Sequence, residues 1–290
     1  MKTINADLLF DTENILGEGP QWHPLEALLY WVDIEAHFLY HSDSILNSFK
    51  RFQFDTPIGA FGFAKDGEFL LATGQGFQSW DGKTLQTIWN PLPLRTNVRM
   101  NDGKIDPAGR FWAGSIDTEQ NKAGLYRLDP DGRQYTILQN LGIANGLDWS
   151  PDRKTMYFTD SSKYTIFSFD YDLETGAIKN QRIVVVLPKT KAEIVPDGLC
   201  VDIEGNIWSA HWNGWQVVRY NPAGEPLLSI KVPAQRVTSC CFGGEHGDLL
   251  FITTARTGIT QKELSEQPKA GCVFVVETDT IGQTANFFGI

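Results

Sequence analysis

Asp197 in "PDGLCVD", Glu18 in "GEGPQWH" and Asn145 in "ANGLDWS" each place an oxygen-bearing side chain directly before a glycine and an apolar run. Asn101 in "MNDGKID" stands at the matching offset. Carboxylate and amide oxygens suit hard divalent ions such as Ca²⁺, Mg²⁺ or Mn²⁺ better than soft ones. Two carboxylates forced together repel and lose hydration, and a cation between them makes that arrangement tolerable. Three or four protein ligands leave coordination positions for water or substrate, as a catalytic metal requires. Taken singly, each pair reads as a turn former. Their common register is what points to a metal. Arg99 lies two residues before Asn101, so a strand would point both to one face. An arginine there would bind an oxygen-rich substrate or developing negative charge, or form a salt bridge within the site.

These residues are far apart in sequence, so a repeated element has to gather them. Six stretches share a frame in which a turn such as Asp-x-x-Gly leads into an aromatic-rich strand. They are "HPLEALLYWVD" from His23, "AKDGEFLLATG" from Ala64, "DPAGRFWAGSID" from Asp106, "SPDRKTMYFTD" from Ser150, "DIEGNIWSAH" from Asp202 and "FGGEHGDLLFITTA" from Phe242. They recur at roughly 40 to 50 residues, the spacing of propeller blades. Further alternating runs between them, such as "AGLYRLDPDG" and "WQVVRYNPAGE", supply the remaining strands. The expected fold is therefore all-β: a six-bladed β-propeller forming a single closed domain over residues 1–290. The opening "INADLLF" is expected to pair with the last blade and close the ring. Five residues before each turn stand Glu18, Asn101, Asn145 and Asp197 in four copies. Gly59 occupies that place in the second copy, and Val237 or Thr238 in the sixth. Equivalent inner-strand positions face the central channel at one end, so the four polar residues converge there.

The chain is 42% hydrophobic and 21% charged, an ordinary globular composition. Its net charge is −10 and its basic residues are scattered, which argues against nucleic acid or an anionic membrane as partner. The N-terminus has no apolar segment followed by a small-residue cleavage site, and no window approaches 18 consecutive apolar residues. The cysteines, Cys200, Cys240, Cys241 and Cys272, fit no CxxC pattern and read as core thiols in a reducing compartment, so a cytoplasmic protein is expected. No GxSxG, HExxH or P-loop is present, and the GxG of "TGQGFQS" lacks a third glycine and a βαβ context. Other polar groups, Asp33, Asp117, Glu119, Asp160 and His211, end strands or sit in loops near the same mouth and individually read as turn formers. Trp212 and Trp215 in "HWNGW" would suit sugar-ring stacking or packing between blades.

The motifs "GEGPQW", "RMNDGKIDPAGRFWAG", "NGLDWSPD", "FDYDLETG", "PDGLCVDIEG" and "TSCCFGG" together resemble the SMP-30/gluconolactonase family, along nearly the whole chain. That resemblance implies one catalytic divalent cation in the channel (Ca²⁺, Mg²⁺, Mn²⁺, Zn²⁺ or Fe²⁺), held by Glu18, Asn145 and Asp197. It implies substrate binding by Arg99, Asn101 and Glu119, and hydrolysis of a sugar lactone to the aldonic acid, with Asp197 as candidate general base. No obligate protein partner is implied. Rival readings are another ester or phosphotriester hydrolase on the same scaffold, a non-enzymatic calcium-binding protein, and an interaction scaffold.

Overall fold

The repeats begin where an aspartate closes a tight turn. Asp106 Oδ1 accepts the backbone N–H groups of Ala108 and Arg110, both at 2.9 Å, while its Oδ2 accepts the indole N–H of Trp112 at 2.9 Å. Asp202 repeats the arrangement with Glu204 and Asn206 at 3.0 and 2.9 Å and with Trp208 at 2.9 Å. Gly109 and Gly205 take φ of 79° and 85° in these turns, a conformation that costs glycine little. One carboxylate thus fixes the turn and carries a fully buried tryptophan into the core with its polar atom satisfied.

The computed structural model describes residues 1–65, 67–92 and 98–289. Asp66, in the turn of the second copy, lies outside them. The chain folds into six sheets, each a blade of four antiparallel strands with consecutive strands as neighbours, and two blades are completed or extended by the N-terminus. The inner strands are Gly17–His23, Ile58–Phe63, Arg99–Ile105, Ala144–Trp149, Val195–Val201 and Arg236–Gly243. They follow one another around an axis, and the sixth returns to touch the first. This is the six-bladed β-propeller that the repeats predict. Helix is limited to Gln261–Glu266 and a 3₁₀ turn at Ser161–Lys163 among the described residues. No helix there is long and apolar enough to cross a membrane.

Ring closure is shared between two blades. Asp7–Phe10 forms the outer strand of the sixth blade, antiparallel to Val273–Glu277. Lys2–Asn5 instead adds a fifth, parallel strand to the fifth blade beside Pro226–Lys231. The segment "INADLLF" is therefore split. Its "DLLF" pairs with the last blade as expected, whereas Ile4 and Asn5 belong to the blade before. Ala6, buried between the two strands, marks the crossing.

The core lies between the blades, where apolar faces of neighbouring sheets meet. Trp112 and Trp149 pack edge to face between the third and fourth blades with ring centroids 5.9 Å apart. Trp208 meets Phe242 between the fifth and sixth.

Every inner strand also carries an irregularity in its pairing to the next strand. The register shifts fall at Glu18/Gln21, Ile58/Ala60, Met100/Gly103, Ala144/Leu147, Pro196/Leu199 and Val237/Ser239. A β-bulge bends its strand and re-aims the side chains at the bend. Here six bulges stand at one level of the ring, at the offset where the sequence frame places its polar residues. The glycine that follows is demanded by the neighbouring blade: a Cβ on Gly146 would lie 2.5 Å from the amide nitrogen of Leu199 and 2.7 Å from the carbonyl oxygen of Asp197.

Candidate metal and substrate site at the channel mouth

The bulges turn Glu18, Asn101, Asn145 and Asp197 toward one cleft of about 210 Å³, which Arg99 also lines. All four side chains are buried, between 5% and 7% exposed, although they come from four different blades. Their polar atoms form a chain. Arg99 Nη1 donates to Asn101 Oδ1 at 2.7 Å and to the Met100 carbonyl at 3.0 Å. Asn101 Nδ2 donates to the Ala144 carbonyl at 2.9 Å and lies 3.4 Å from Asn145 Oδ1. Asn145 Nδ2 in turn donates to Asp197 Oδ1 and, at 3.1 Å, to Ser161 Oγ. Ser161 Oγ donates its own proton to the Pro196 carbonyl at 2.7 Å, so it offers only a lone pair to the Asn145 amide.

Electrostatically the site is short of positive charge. Burial, and then the Asp197 and Asp102 carboxylates, push the Glu18 carboxyl well above the ordinary range; the Gly19 N–H and Arg99 oppose this only partly. Asp197 is raised well above its range by burial and by Asp102, against the Asn145 amide and Arg99. Asp102 is itself pushed up to about 6 by burial. Arg99 carries the nearest positive charge; burial lowers its pKa, while Glu18, Glu35 and Asp197 support its charged form.

Two buried carboxyls that resist ionisation, joined by an amide oxygen donor, fit a hard divalent cation, which would favour their charged forms. Among the described residues no three His, Cys, Asp or Glu side chains gather as a metal cluster. The set here is two carboxylates completed by an amide, with Glu18, Asn145 and Asp197 as the residues that could hold the ion.

Three residues further along each inner strand the channel changes character. Lys104 Nζ meets Asp148 Oδ2 at 2.9 Å, and Asp148 Oδ2 also accepts the Val201 N–H at 3.0 Å. Cys200 and Cys241 face the same cavity of about 410 Å³, which the C-terminal segment also lines. Gln283 there donates to the Trp149 carbonyl at 2.7 Å, and Asn286 to that of Ile105 at 3.0 Å. The larger cavity is thus bordered by the C-terminal segment, and its lysine is paired with Asp148. The smaller cleft holds the unbalanced charge. All four cysteines are buried free thiols.

Glu119 sits apart from the other expected substrate residues. It is exposed in the turn after Phe111–Ile116 and does not line the cleft. Asp117 shapes that turn by accepting the N–H groups of Gln120 at 3.1 Å and Lys122 at 3.2 Å. Asp33 likewise accepts the Ile15 and Leu16 amides, and Asp160 accepts the Ser162 hydroxyl. His211 points away from the cleft, between Tyr220 Oη at 3.2 Å and Gln216 Nε2 at 3.4 Å. Trp212, the next residue, lines the cleft, whereas Trp215 does not.

Three cleft residues escape the repeat frame, Glu35, Ser161 and Thr257, as does Asp102 beside the cleft. Glu35, Ser161 and Thr257 stand in the connections after the second strands of the first, fourth and sixth blades, and Asp102 hides behind Asn101 within a bulge. Only the acidic residue of "MNDG" left a trace in sequence.

A six-bladed propeller whose inner-strand bulges gather carboxylates, amides and one arginine at a channel mouth defines a class of small-molecule site built on a rigid ring. The profile of the SMP-30/Gluconolactonase/LRE-like region matches residues 16–256, and the chain belongs to that family. It is 36% identical over 286 residues to regucalcin of Bos taurus, covering 95% of each chain. A calcium-binding protein, regucalcin, from Agrobacterium tumefaciens superposes with a TM-score of 0.94 at 23% identity over 100% of both chains. A luciferin-regenerating enzyme superposes with a TM-score of 0.89 at 28% identity, covering 99% of this chain and 100% of the other.

Proposed function

We propose that the protein hydrolyses a sugar lactone to its aldonic acid with the help of one divalent cation held by Glu18, Asn145 and Asp197. One observation carries this reading: two buried carboxyls, both pushed up by burial and by neighbouring carboxylates, share a small cleft with the Arg99–Asn101 pair, which an ion-binding site alone does not need. The family name, which includes gluconolactonase, points the same way.

When bound, the cation supplies a Lewis acid that polarises a carbonyl and makes water more acidic. The protein supplies the rest. Asp197, its Oδ1 held by the Asn145 amide, would take the proton of the attacking water. Arg99, held against the Met100 carbonyl and Asn101, presents its remaining N–H donors to ring or carbonyl oxygens of the substrate. Asn101 orients hydroxyls beside it. The apolar lining of Ile116, Ile143 and Val195 limits water around the reacting ring.

The test is protein stripped with chelator and assayed by proton release on a panel of aldonolactones, with Ca²⁺, Mg²⁺, Mn²⁺, Zn²⁺ and Fe²⁺ restored singly. Turnover should vanish with the metal and return with one ion, and Asp197→Ala should abolish it. Tight cation binding without turnover on any lactone would leave a calcium-binding protein, and turnover of aryl esters or phosphotriesters alone would point to another hydrolase.

A further inference from the structure

We infer that Glu35, positioned by Thr257 and flanked by Trp212, forms a second recognition arm of the cleft that selects uncharged polyhydroxylated rings and rejects substrates bearing an extra carboxylate or phosphate. The inference rests on the lactonase reading and specifies the substrate class. All three residues line the same cleft as the Asp197 carboxylate. They come from the first, sixth and fifth blades, whereas Arg99, Asn101 and Asn145 come from the third and fourth. A ring seated at Asp197 is therefore bordered by Arg99 and Asn101 from the third blade and by Glu35 from the first, the Glu35 carboxylate supporting the charge of Arg99.

Glu35 is exposed at the rim, and its Oε1 accepts the Thr257 hydroxyl at 2.9 Å. That contact fixes one carboxylate oxygen and leaves Oε2 for a ligand hydroxyl. A carboxylate accepts hydrogen bonds only, so its natural partners are O–H donors such as sugar hydroxyls. Trp212 is half-buried, and the Arg236 guanidinium lies over its ring, 4.8 Å from the centroid. Arg236 is itself tied to the Gly258 carbonyl at 3.1 Å, which holds the indole as a fixed wall. An aromatic wall beside a hydrogen-bond acceptor matches the two surfaces of a sugar ring, C–H face and hydroxyl edge. Glu35 supports the charged forms of both Arg99 and Arg236, so a carboxylate or phosphate on that edge would have to compete with it for those guanidinium groups and would be repelled by it.

Three lactones of one ring size separate the possibilities: a polyhydroxylated aldonolactone, the unsubstituted lactone, and a uronolactone carrying a free carboxylate. Each is assayed with metal-restored enzyme. Glu35→Ala should lower kcat/KM for the aldonolactone about tenfold, mostly through KM, and change the unsubstituted lactone less than about twofold. Glu35→Gln, which removes charge but keeps an acceptor, should raise turnover of the uronolactone relative to the aldonolactone severalfold. Thr257→Val should shift the aldonolactone KM in the direction of Glu35→Ala, by less. Equal effects of Glu35→Ala on substituted and bare rings, or unchanged discrimination in Glu35→Gln, would overturn the inference while leaving the lactonase reading intact. Failure of the unsubstituted enzyme to turn over any lactone would instead remove the reading beneath both.

Discussion

Ser161 shows how far a single hydroxyl can reach in this site. It donates to the Pro196 carbonyl, and so it can only accept from Asn145 Nδ2. That fixes Nδ2 toward Ser161 and Asp197 and leaves Oδ1, on the Asn101 side, as the amide's oxygen donor for a cation. Ser161→Ala deletes this anchor without touching a proposed ligand. Partners of this kind typically carry 10- to 100-fold in metal affinity. We expect titration calorimetry to show Ca²⁺ or Mn²⁺ affinity weakened by about that factor, with the melting temperature of the metal-free protein little changed; unaltered affinity would show that the amide needs no such anchor. The residues at fixed offset from a repeated turn were legible in sequence because the ring converts equal offsets into proximity. Glu18, Asn101, Asn145 and Asp197 duly meet in one cleft. Ser161, Glu35 and Thr257 were not, since connections between strands vary in length from blade to blade and carry no register. Glu119 belongs to such a connection too. The family resemblance, rather than the repeat, singled it out, and the structure leaves it outside the cleft.

At the scale of the strand, what the sequence pattern concealed is the bulge. Alternation gives which face a side chain takes, but one extra residue in the pairing reverses the faces beyond it. The Asx-Gly pairs are the visible sign of those bulges, and Gly146 shows why. Its missing Cβ makes room for the backbone of the fifth blade, so Gly146→Ala must displace one inner strand from another. Overpacking of this kind costs about 1–3 kcal/mol. The expected outcome is a lowered urea midpoint together with weakened cation binding, because Asn145 moves with its neighbour; loss of stability with cation affinity intact would separate the bulge from the site. The strand Ile207–Trp212 makes the complementary point about faces. It sends Trp212 into the cleft and His211 to the opposite side, where burial lowers the imidazole pKa to about 4. Gln216 Oε1 is taken by Lys231 Nζ at 2.6 Å and Ser229 Oγ at 2.8 Å, so its amide N–H₂ faces His211 Nδ1 and opposes a proton there. The unfolded imidazole binds a proton near pH 6.5 and the folded one only near 4, so the unfolded chain takes up more protons between those values. Stability therefore falls as pH drops through that window, by on the order of 3 kcal/mol. His211→Gln should flatten the curve of melting temperature against pH between 7 and 4.5, and parallel curves for mutant and parent would rule this group out as its source.

Across the whole molecule, the proposed ligands join what the N-terminus closes. Glu18 belongs to the first blade, Asn145 to the fourth and Asp197 to the fifth, while Asp7–Phe10 and Lys2–Asn5 bind the sixth and fifth blades at the rim. Closure through the opening segment was foreseeable from a propeller's need to leave no free edge, but its division between two blades was not, because four-residue strands carry too little pattern to choose a partner. A cation at the channel mouth would tie three blades together from inside, and its contribution has a definite dependence on pH. Glu18 and Asp197 both have folded pKa values raised by burial, with nearby carboxylates adding to the effect. Without a cation, the stability associated with their neutral forms is present at acid pH and is lost as pH rises through those raised values. A cation reverses this, since it favours the charged forms and competes with their protons. At a hundredfold excess over its Kd a ligand adds about 2.7 kcal/mol to stability. The rise in melting temperature on adding the cation to chelator-treated protein should therefore be small at pH 5 and several degrees at pH 8, with Glu18→Gln reducing the difference. An equal rise at both pH values would mean that the ion binds elsewhere, at surface carboxylates already charged at pH 5, and that the two buried carboxyls are not its ligands.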